Sequence, residues 1–122
     1  MKYSNMFYPF DSKYELMQDE EIINKIKAGD KSALHYLMEK YKELVNMKVS
    51  KYYIIGAEKE DIVQEGMIGL YKAIKSFSED KNTSFKSFAN MCIERQLITA
   101  IKTSNRQKHM PLNSYLSLNT AA

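Results

Sequence analysis

The sequence is poor in the residues that mark secreted, membrane and β-rich proteins. Among 122 residues it has no tryptophan, one cysteine, two prolines and four glycines. The single Cys92 excludes an internal disulfide and is typical of a protein of the reducing cytosol. No apolar run approaches the roughly 20 residues of a membrane span, and the first residues lack the apolar segment of a secretory signal. We therefore expect a cytoplasmic protein of one domain.

Recognisable catalytic and metal-binding patterns are also missing. His35 and His109 lie far apart, without a Cys or His partner at zinc spacing. The carboxylates Glu58, Glu60 and Asp61 fit the acidic first turn of a helix better than a general acid and base. Glycine-rich phosphate loops are absent from the sequence. We therefore expect no enzymatic activity, no cofactor and no metal.

The spacing of apolar residues predicts an all-α protein, because alternating strand patterns do not occur. Asp19, Asp30 and Ser84 are suitable N-caps, and Gly29 is a suitable helix stop. Four helices are expected, at about residues 20–28, 31–55, 58–77 and 84–103. Three long amphipathic helices with short connections, preceded by a short one, favour a compact bundle around one core.

Two glycines lie in the middle of the helix expected at 58–77. Gly66 and Gly69 each cost roughly 0.5–1 kcal/mol relative to alanine in a helix interior. Without a Cβ, they allow a neighbouring helix to approach closely, either within the bundle or on a partner. The sequence leaves both possibilities open, and packing within the bundle is the main alternative for Gly69.

Basic residues are concentrated near the C-terminal end. Residues 84–115 hold five basic residues against Glu94 alone, a net charge of +4, which leaves −1 for the rest of the chain. Arg95, Thr99, Lys102 and Arg106 share one stripe of the fourth predicted helix. A guanidinium that can bind a guanine edge, beside cations that bind phosphates, suits a helix in a DNA groove. A solvated helix face is the alternative interpretation.

Aromatic residues lie around the start of the same helix. We expect Phe85 in the core. Phe88 lies close to two turns before Arg95, so we expect it on the basic stripe and partly exposed. Unstacked bases stack on flat apolar faces beside cations, at about 1–3 kcal/mol each. The aromatic residues therefore favour nucleic-acid binding, although a single exposed aromatic can also be accidental.

Two blocks of the sequence resemble a known family. EDIVQEGMIGLYKAIKSF at 60–77 and TSFKSFANMCIERQLITAIKTSNRQKHMPLNSYLSL at 83–118 resemble domain two of the sigma-70 family of bacterial RNA polymerase sigma factors. The subgroup that they resemble is sigma-H of endospore-forming Gram-positive bacteria, a stationary-phase and sporulation factor. The resemblance implies a transcription-initiation domain at 19–110 that binds core polymerase and recognises and helps melt the minus-ten promoter element. A flexible tail at 1–18 and the start of a linker at 111–122 would flank it.

The resemblance also implies roles for individual residues. The helix that matches 60–77 docks on a coiled coil of the largest polymerase subunit in the family. The implied polymerase-binding residues are Asp61, Gln64, Glu65, Met67 and Tyr71. The implied DNA-binding residues are Arg95, Gln96 and Thr99 at the upstream duplex edge, with Lys102, Arg106 and Lys108 on phosphates. The implied promoter-melting residues are Phe85, Phe88, Met91 and Cys92, the last two replacing a tryptophan pair of primary sigma factors.

Core RNA polymerase and promoter DNA are the implied partners, an anti-sigma factor is a further candidate, and no membrane is expected. The family's second DNA-binding domain would follow the linker, so the chain ending at Ala122 is either a fragment, as we expect, or a naturally short protein.

Two other function classes stay open at this stage. A stand-alone helix-turn-helix regulator would need a short helix and a tight turn before its recognition helix, and the loop at 78–83 argues against it. A module that only binds polymerase or an anti-sigma protein would not need Arg95, Thr99 or the aromatic residues.

Overall fold

The computed structural model describes residues 11–52, 58–79 and 82–109, with side chains at 13–52, 58–79 and 82–103. These residues form helices and contain no strand, which confirms the all-α prediction. The helices are α1 Asp11–Glu15, α2 Asp19–Lys27, α3 Lys31–Lys40, α4 Lys42–Val49, α5 Lys59–Ser76 and α6 Phe85–His109. None of the described helices is long and apolar enough to span a membrane.

The start of α2 lies one residue earlier than the sequence predicts. Gln18 is the N-cap, and its backbone N–H donates to Glu21 Oε1 at 3.0 Å. Asp19 has another role, because its carboxylate accepts hydrogen bonds from Lys40 Nζ at 2.6 Å and from the Tyr41 hydroxyl. The predicted N-cap at Asp19 is therefore wrong: this side chain ties α2 to the junction of α3 and α4.

The turn between α2 and α3 follows the prediction. Gly29 has a φ of +104°, in the left-handed region that glycine adopts without steric strain. Asp30 caps α3, since its Oδ1 accepts from the Ala33 N–H at 3.1 Å. These two residues let the chain reverse sharply, so that α2 packs against α3.

The segment before α2 packs against the bundle over its described part. Tyr14 is buried in the core, and its hydroxyl donates to Asp30 Oδ2 at 2.9 Å. The hydrogen bond from Ala33, followed by that from Tyr14, lowers the pKa of Asp30 below its usual value. The sequence predicts a flexible tail at 1–18, but the part around Tyr14 is helix α1. Residues 1–10 lie outside the described part of the chain.

The helix expected at 31–55 is interrupted at Tyr41. Backbone hydrogen bonds continue through it, from Tyr41 to Leu37 at 3.2 Å and from Val45 to Tyr41 at 3.1 Å. Buried residues recur at four-residue intervals along both helices: Ala33, Leu37, Tyr41, Val45 and Val49. This periodicity runs through the interruption, which is why the sequence predicts one helix. Helix α4 ends at Val49 with Ser50 as its C-cap, so the prediction of helix at residues 50–52 is wrong, and the predicted end at Ile55 lies outside the described residues.

The last two helices extend along each other and make the largest helix–helix contact in the described chain. Ser84 is confirmed as the N-cap of α6, because its Oγ accepts from the Ser87 N–H at 3.2 Å. Glu20 adds a second cap from α2, since its Oε2 accepts from the Phe85 N–H at 3.0 Å. The described part of α6 reaches His109, beyond the predicted end at Thr103.

Four aromatic rings meet where α6 begins. Phe85 contacts Tyr41 and Phe77 edge to face, each with ring centroids 5.5 Å apart. Phe88 also lies 5.5 Å from Phe77 and is only 9% exposed. The prediction that Phe88 is partly exposed beside the cations is therefore wrong. It lies at the edge of the buried face of α6, where its ring packs on Phe77 in the core.

Candidate functional site

The two glycines of α5 serve the interior of the bundle. A Cβ at Gly66 would lie 2.6 Å from Val45 Cγ1 on α4. A Cβ at Gly69 would lie 2.9 Å from the Cα of Ile93 and 3.0 Å from the carbonyl oxygen of Cys92, both on α6. Real Cβ contacts are not this short, so both neighbours approach because the Cβ atoms are absent. The structure decides the alternative that the sequence leaves open, in favour of packing within the bundle.

Because the glycines face inward, the opposite side of α5 is exposed. Asp61, Gln64 and Tyr71, three of the five predicted polymerase-binding residues, are exposed along one stripe. Ile68 lies between Gln64 and Tyr71 on this stripe, and Ile68 and Tyr71 are each 42% exposed. The prediction missed Ile68, although its helical spacing places it on this face. We call Asp61, Gln64, Ile68 and Tyr71 the outer face of α5.

The other two predicted polymerase-binding residues lie at the flanks of this face. Met67 is half-buried against the core. Glu65 is also half-buried, and its Oε1 accepts from Gln96 Nε2 at 2.9 Å. Lys72 Nζ donates to Gln96 Oε1 at 3.1 Å, so the amide of Gln96 binds two residues of α5.

Gln96 is therefore separated from the other predicted DNA-binding residues. Its neighbour Arg95 lines a different surface of α6 together with Thr99 and Lys102, and all three are exposed. Arg106 and Lys108 belong to the backbone of α6, and their side chains lie outside the described residues. The basic stripe of the sequence analysis is thus confirmed for its described members, and Gln96 faces α5 instead.

Arg95, Thr99 and Lys102 line an open groove of about 610 Å³ beside α4. The groove is formed by Lys48 of α4 and by residues of α6: Ser87, Asn90, Met91, Glu94, Arg95, Ile98, Thr99 and Lys102. Three of these residues are basic and one is acidic, so the described lining is positively charged. We call this the α4–α6 groove.

A polar network crosses from α4 to α6 at this groove. Glu94 Oε1 accepts from Lys48 Nζ at 2.7 Å, and Glu94 Oε2 accepts from the Tyr52 hydroxyl at 2.5 Å. The hydrogen bond from Lys48, followed by that from Tyr52, lowers the pKa of Glu94 below its usual value. The sequence analysis could not find this network, because more than 40 residues separate Glu94 from each donor.

The predicted promoter-melting residues differ in exposure. Phe85 and Phe88 are buried in the aromatic cluster, while Met91 is 46% exposed in the α4–α6 groove. Cys92 is half-buried against the core. Met91 is therefore the predicted melting residue that the described surface presents most openly. No cluster of metal-ligating side chains occurs among the residues whose placement is described.

The match to a family model covers both surfaces. Residues 37–107 match the family described as Sigma-70 region 2. This range includes the outer face of α5 and every described residue that lines the α4–α6 groove.

Three relatives show which sigma factors the chain is similar to. It is 62% identical over 102 residues to the RNA polymerase sigma-H factor of Bacillus subtilis (strain 168), covering 84% of this chain and 47% of that protein. The RNA polymerase sigma-H factor of Bacillus licheniformis is 61% identical over 102 residues, 84% of this chain and 46% of the relative. The sigma factor SigA of Clostridium acetobutylicum is 32% identical over 110 residues, 88% of this chain and 29% of the relative.

The chain spans slightly under half the length of the two sigma-H relatives. Identity to these two relatives is about twice the identity to SigA, which agrees with the subgroup that the sequence motifs indicate. The chain therefore belongs to the sigma-70 family, in which it is similar to the sigma-H factors.

Proposed function

We propose that this chain is the part of a cytoplasmic, sigma-H-like sigma factor that binds core RNA polymerase and recognises and helps melt the minus-ten promoter element. The observation that carries the proposal is the match of residues 37–107 to sigma-70 region 2, because both exposed surfaces lie within it. The outer face lies on α5 and most of the groove lies on α6, and these two helices pack against each other.

The outer face of α5 binds the coiled coil of the largest polymerase subunit in this proposal. Ile68 and Tyr71 supply exposed apolar area, and Asp61 and Gln64 supply polar groups beside it. An apolar centre with a polar rim is typical of protein–protein interfaces, in which tyrosine is enriched. Glu65 contributes indirectly in this proposal. Its carboxylate accepts the hydrogen bond that holds Gln96 of α6 against α5.

The α4–α6 groove binds promoter DNA. Arg95 and Lys102 are exposed along the groove, and Thr99 lies between them. The two cations can bind phosphates or base edges of a DNA strand, and the hydroxyl can hydrogen-bond to either. Arg106 and Lys108 follow on the same helix. Single-stranded nucleic acid binds such grooves through its phosphates and by stacking of its bases.

Among the predicted melting residues, Met91 is the one that contacts the unwinding DNA in this proposal. Its thioether chain is flexible and lacks the flat π-face on which a base stacks. We therefore expect weaker support of strand opening than a tryptophan would give. Phe85 and Phe88 support melting indirectly, because their buried rings hold the start of α6 in place.

A stand-alone helix-turn-helix regulator is not supported. Helix α5 has 18 residues and α6 has 25, whereas that motif places a short helix and a tight turn before its recognition helix. A module that binds only polymerase would have no use for the basic α4–α6 groove.

The experiment that tests the proposal is titration of this chain with core RNA polymerase of Bacillus subtilis. We expect saturable binding that Gln64→Ala and Tyr71→Ala each weaken roughly tenfold, as removal of interface anchors does. Glu39→Gln is the matched control, because Glu39 is exposed on α3, away from the outer face. A well-folded wild-type chain that does not bind core polymerase contradicts the proposal.

A further inference from the structure

Glu94 stands out in a groove that the proposed function assigns to DNA, and the inference below rests on that function. Among the described residues that line the α4–α6 groove, Glu94 alone is acidic. Its carboxylate is next to Arg95 in the sequence and faces the same groove as Lys102. A negative charge at this place repels phosphates. It therefore lowers the non-specific affinity of the groove for DNA.

The carboxylate of Glu94 is held in a fixed position. Lys48 and Tyr52 each donate to a different oxygen, at 2.7 and 2.5 Å. The side chain of Lys48 is only 12% exposed, whereas that of Glu94 is 43% exposed. Lys48 therefore lies behind the carboxylate, which stays partly open to the groove.

The exposed edge keeps free hydrogen-bonding capacity. Each carboxylate oxygen has two lone pairs, and the network uses one on each. Since its pKa is lowered, Glu94 is ionised at neutral pH and can only accept hydrogen bonds. A group that binds Glu94 in the groove is therefore a hydrogen-bond donor without negative charge, which excludes the phosphates.

Stability alone does not account for this arrangement. An ion pair whose acid is this exposed contributes little to folding stability, because water and salt screen it. The contact between α5 and α6 already fixes α6 along its buried face. What the network does add is a preorganised acceptor beside a guanidinium.

We propose that Glu94 is a base-reading residue of the α4–α6 groove, and that its free edge accepts a hydrogen bond from the N4 amino group of a cytosine. Carboxylates that read DNA bases accept from this group. The N6 amino group of adenine offers the same chemistry, and the experiment separates the two. Arg95 and Lys102 then bind the backbone or a neighbouring base, while Glu94 rejects a thymine, which presents an oxygen at the same place.

The test is a selection from a duplex pool with randomised bases around a minus-ten element, bound by the chain in complex with core polymerase. We expect the wild-type complex to prefer cytosine at one position by roughly tenfold, within the range of a good base contact. Glu94→Gln should abolish this preference, because the amide turns a donor toward the groove. Glu39→Gln removes the same charge on α3 and should leave the preference unchanged.

Modified bases and a second variant sharpen the result. Uracil in place of the preferred cytosine exchanges the amino group for an oxygen, and purine in place of adenine removes the amino group, so these bases identify which base is read. Glu94→Ala removes the acceptor entirely and should lose the same preference, with thermal unfolding confirming that the variant is folded.

The outcomes distinguish the inference from the proposed function. A wild-type complex that binds no DNA contradicts the proposed function, and the inference with it. Base preferences in Glu94→Gln that equal those of the wild type overturn the inference alone. A uniform rise in affinity for all sequences also overturns it, because Glu94 would then act only by charge repulsion.

Discussion

Helix α6 is held in two different ways on its two sides. On the α5 side, Gly69 brings the two backbones so close that a Cβ would lie 2.9 Å from the Cα of Ile93. On the α4 side, the polar side chains of Lys48 and Glu94 meet beside a groove of about 610 Å³. The first side leaves no room for a ligand, and the second leaves room for one. A helix that is clamped on one face can present its other face in a fixed orientation.

The contrast extends to neighbouring residues. Gln96 belongs to the closed side, where its amide binds Glu65 and Lys72 of α5. Arg95 belongs to the open side with Thr99. Adjacent positions of a helix point about 100° apart, so one position of displacement is enough to change the function of a polar side chain.

The largest effect is expected when the closed side is forced open. Gly69→Ala places a Cβ against backbone atoms of α6 and against Gln96 Cβ, none of which can rotate away. Overpacking typically costs 1–3 kcal/mol, the upper end applies because backbone atoms are the obstacle, and the better helix propensity of alanine returns about 1. We expect a loss of about 2 kcal/mol in the free energy of unfolding, measured by urea denaturation. Stability equal to the wild type would show that the two helices are not in backbone contact.

The next effect compares the two sides directly. Arg95→Ala should weaken binding to a minus-ten single strand roughly tenfold, because it removes a cation from the groove. Gln96→Ala should change DNA affinity much less, since its amide faces α5. Fluorescence anisotropy with a labelled oligonucleotide measures both variants. Equal losses would place Gln96 on the DNA-binding surface as well.

A smaller effect is expected at the second glycine. Gly66→Ala places its Cβ 2.6 Å from Val45 Cγ1, a side-chain atom and not a backbone atom. We expect a loss of about 1 kcal/mol in the free energy of unfolding, after the gain in helix propensity. Combining it with Val45→Ala should destabilise less than the sum of the two single variants, because the clash is then absent. Additive losses would mean that Val45 is not the obstacle.

The smallest effect concerns the polar contact on the open side. Because the folded-state pKa of Glu94 is lowered from 4.5, the contact with Lys48 stabilises the protein above that pH. This contribution is lost as the pH falls through the folded-state pKa. It should amount to roughly a few tenths of a kcal/mol, since the Glu94 carboxylate is exposed to water and salt.

Glu94→Gln should therefore reduce the slope of unfolding free energy against pH below about 4.5, the ordinary pKa of glutamate. Urea denaturation across this pH range measures the slope, with Glu39→Gln as the control for an exposed glutamate. An unchanged slope would contradict the contribution of the Lys48 contact.

Much of the fold could be predicted from local sequence. Asp30 and Ser84 are N-caps as predicted, and Gly29 has the positive φ expected of a helix stop. These features depend on hydrogen bonds and backbone sterics within a few residues, so the local sequence is sufficient. The motifs around Gln64 and Arg95 likewise identified the family before any geometry was known.

Other predictions were wrong or incomplete because they concern contacts between distant segments. Asp19 looks like an N-cap, but its carboxylate binds Lys40 and Tyr41 across more than 20 residues. Phe88 has the helical spacing of the basic stripe, yet the ring of Phe77 draws it into the core. Helical periodicity gives the direction of a residue to within part of a turn, and neighbouring helices decide whether an edge position is covered.

The sequence by itself determined the helical class, the principal caps, the family and the basic stripe, because each is written in residue types at short spacing. Only the tertiary structure decided that both glycines serve the bundle, that Gln96 faces α5, and that Lys48 and Tyr52 hold Glu94 in the groove. The physical reason is that these contacts join residues far apart in the chain. Their distances depend on how the helices pack, which no local pattern encodes.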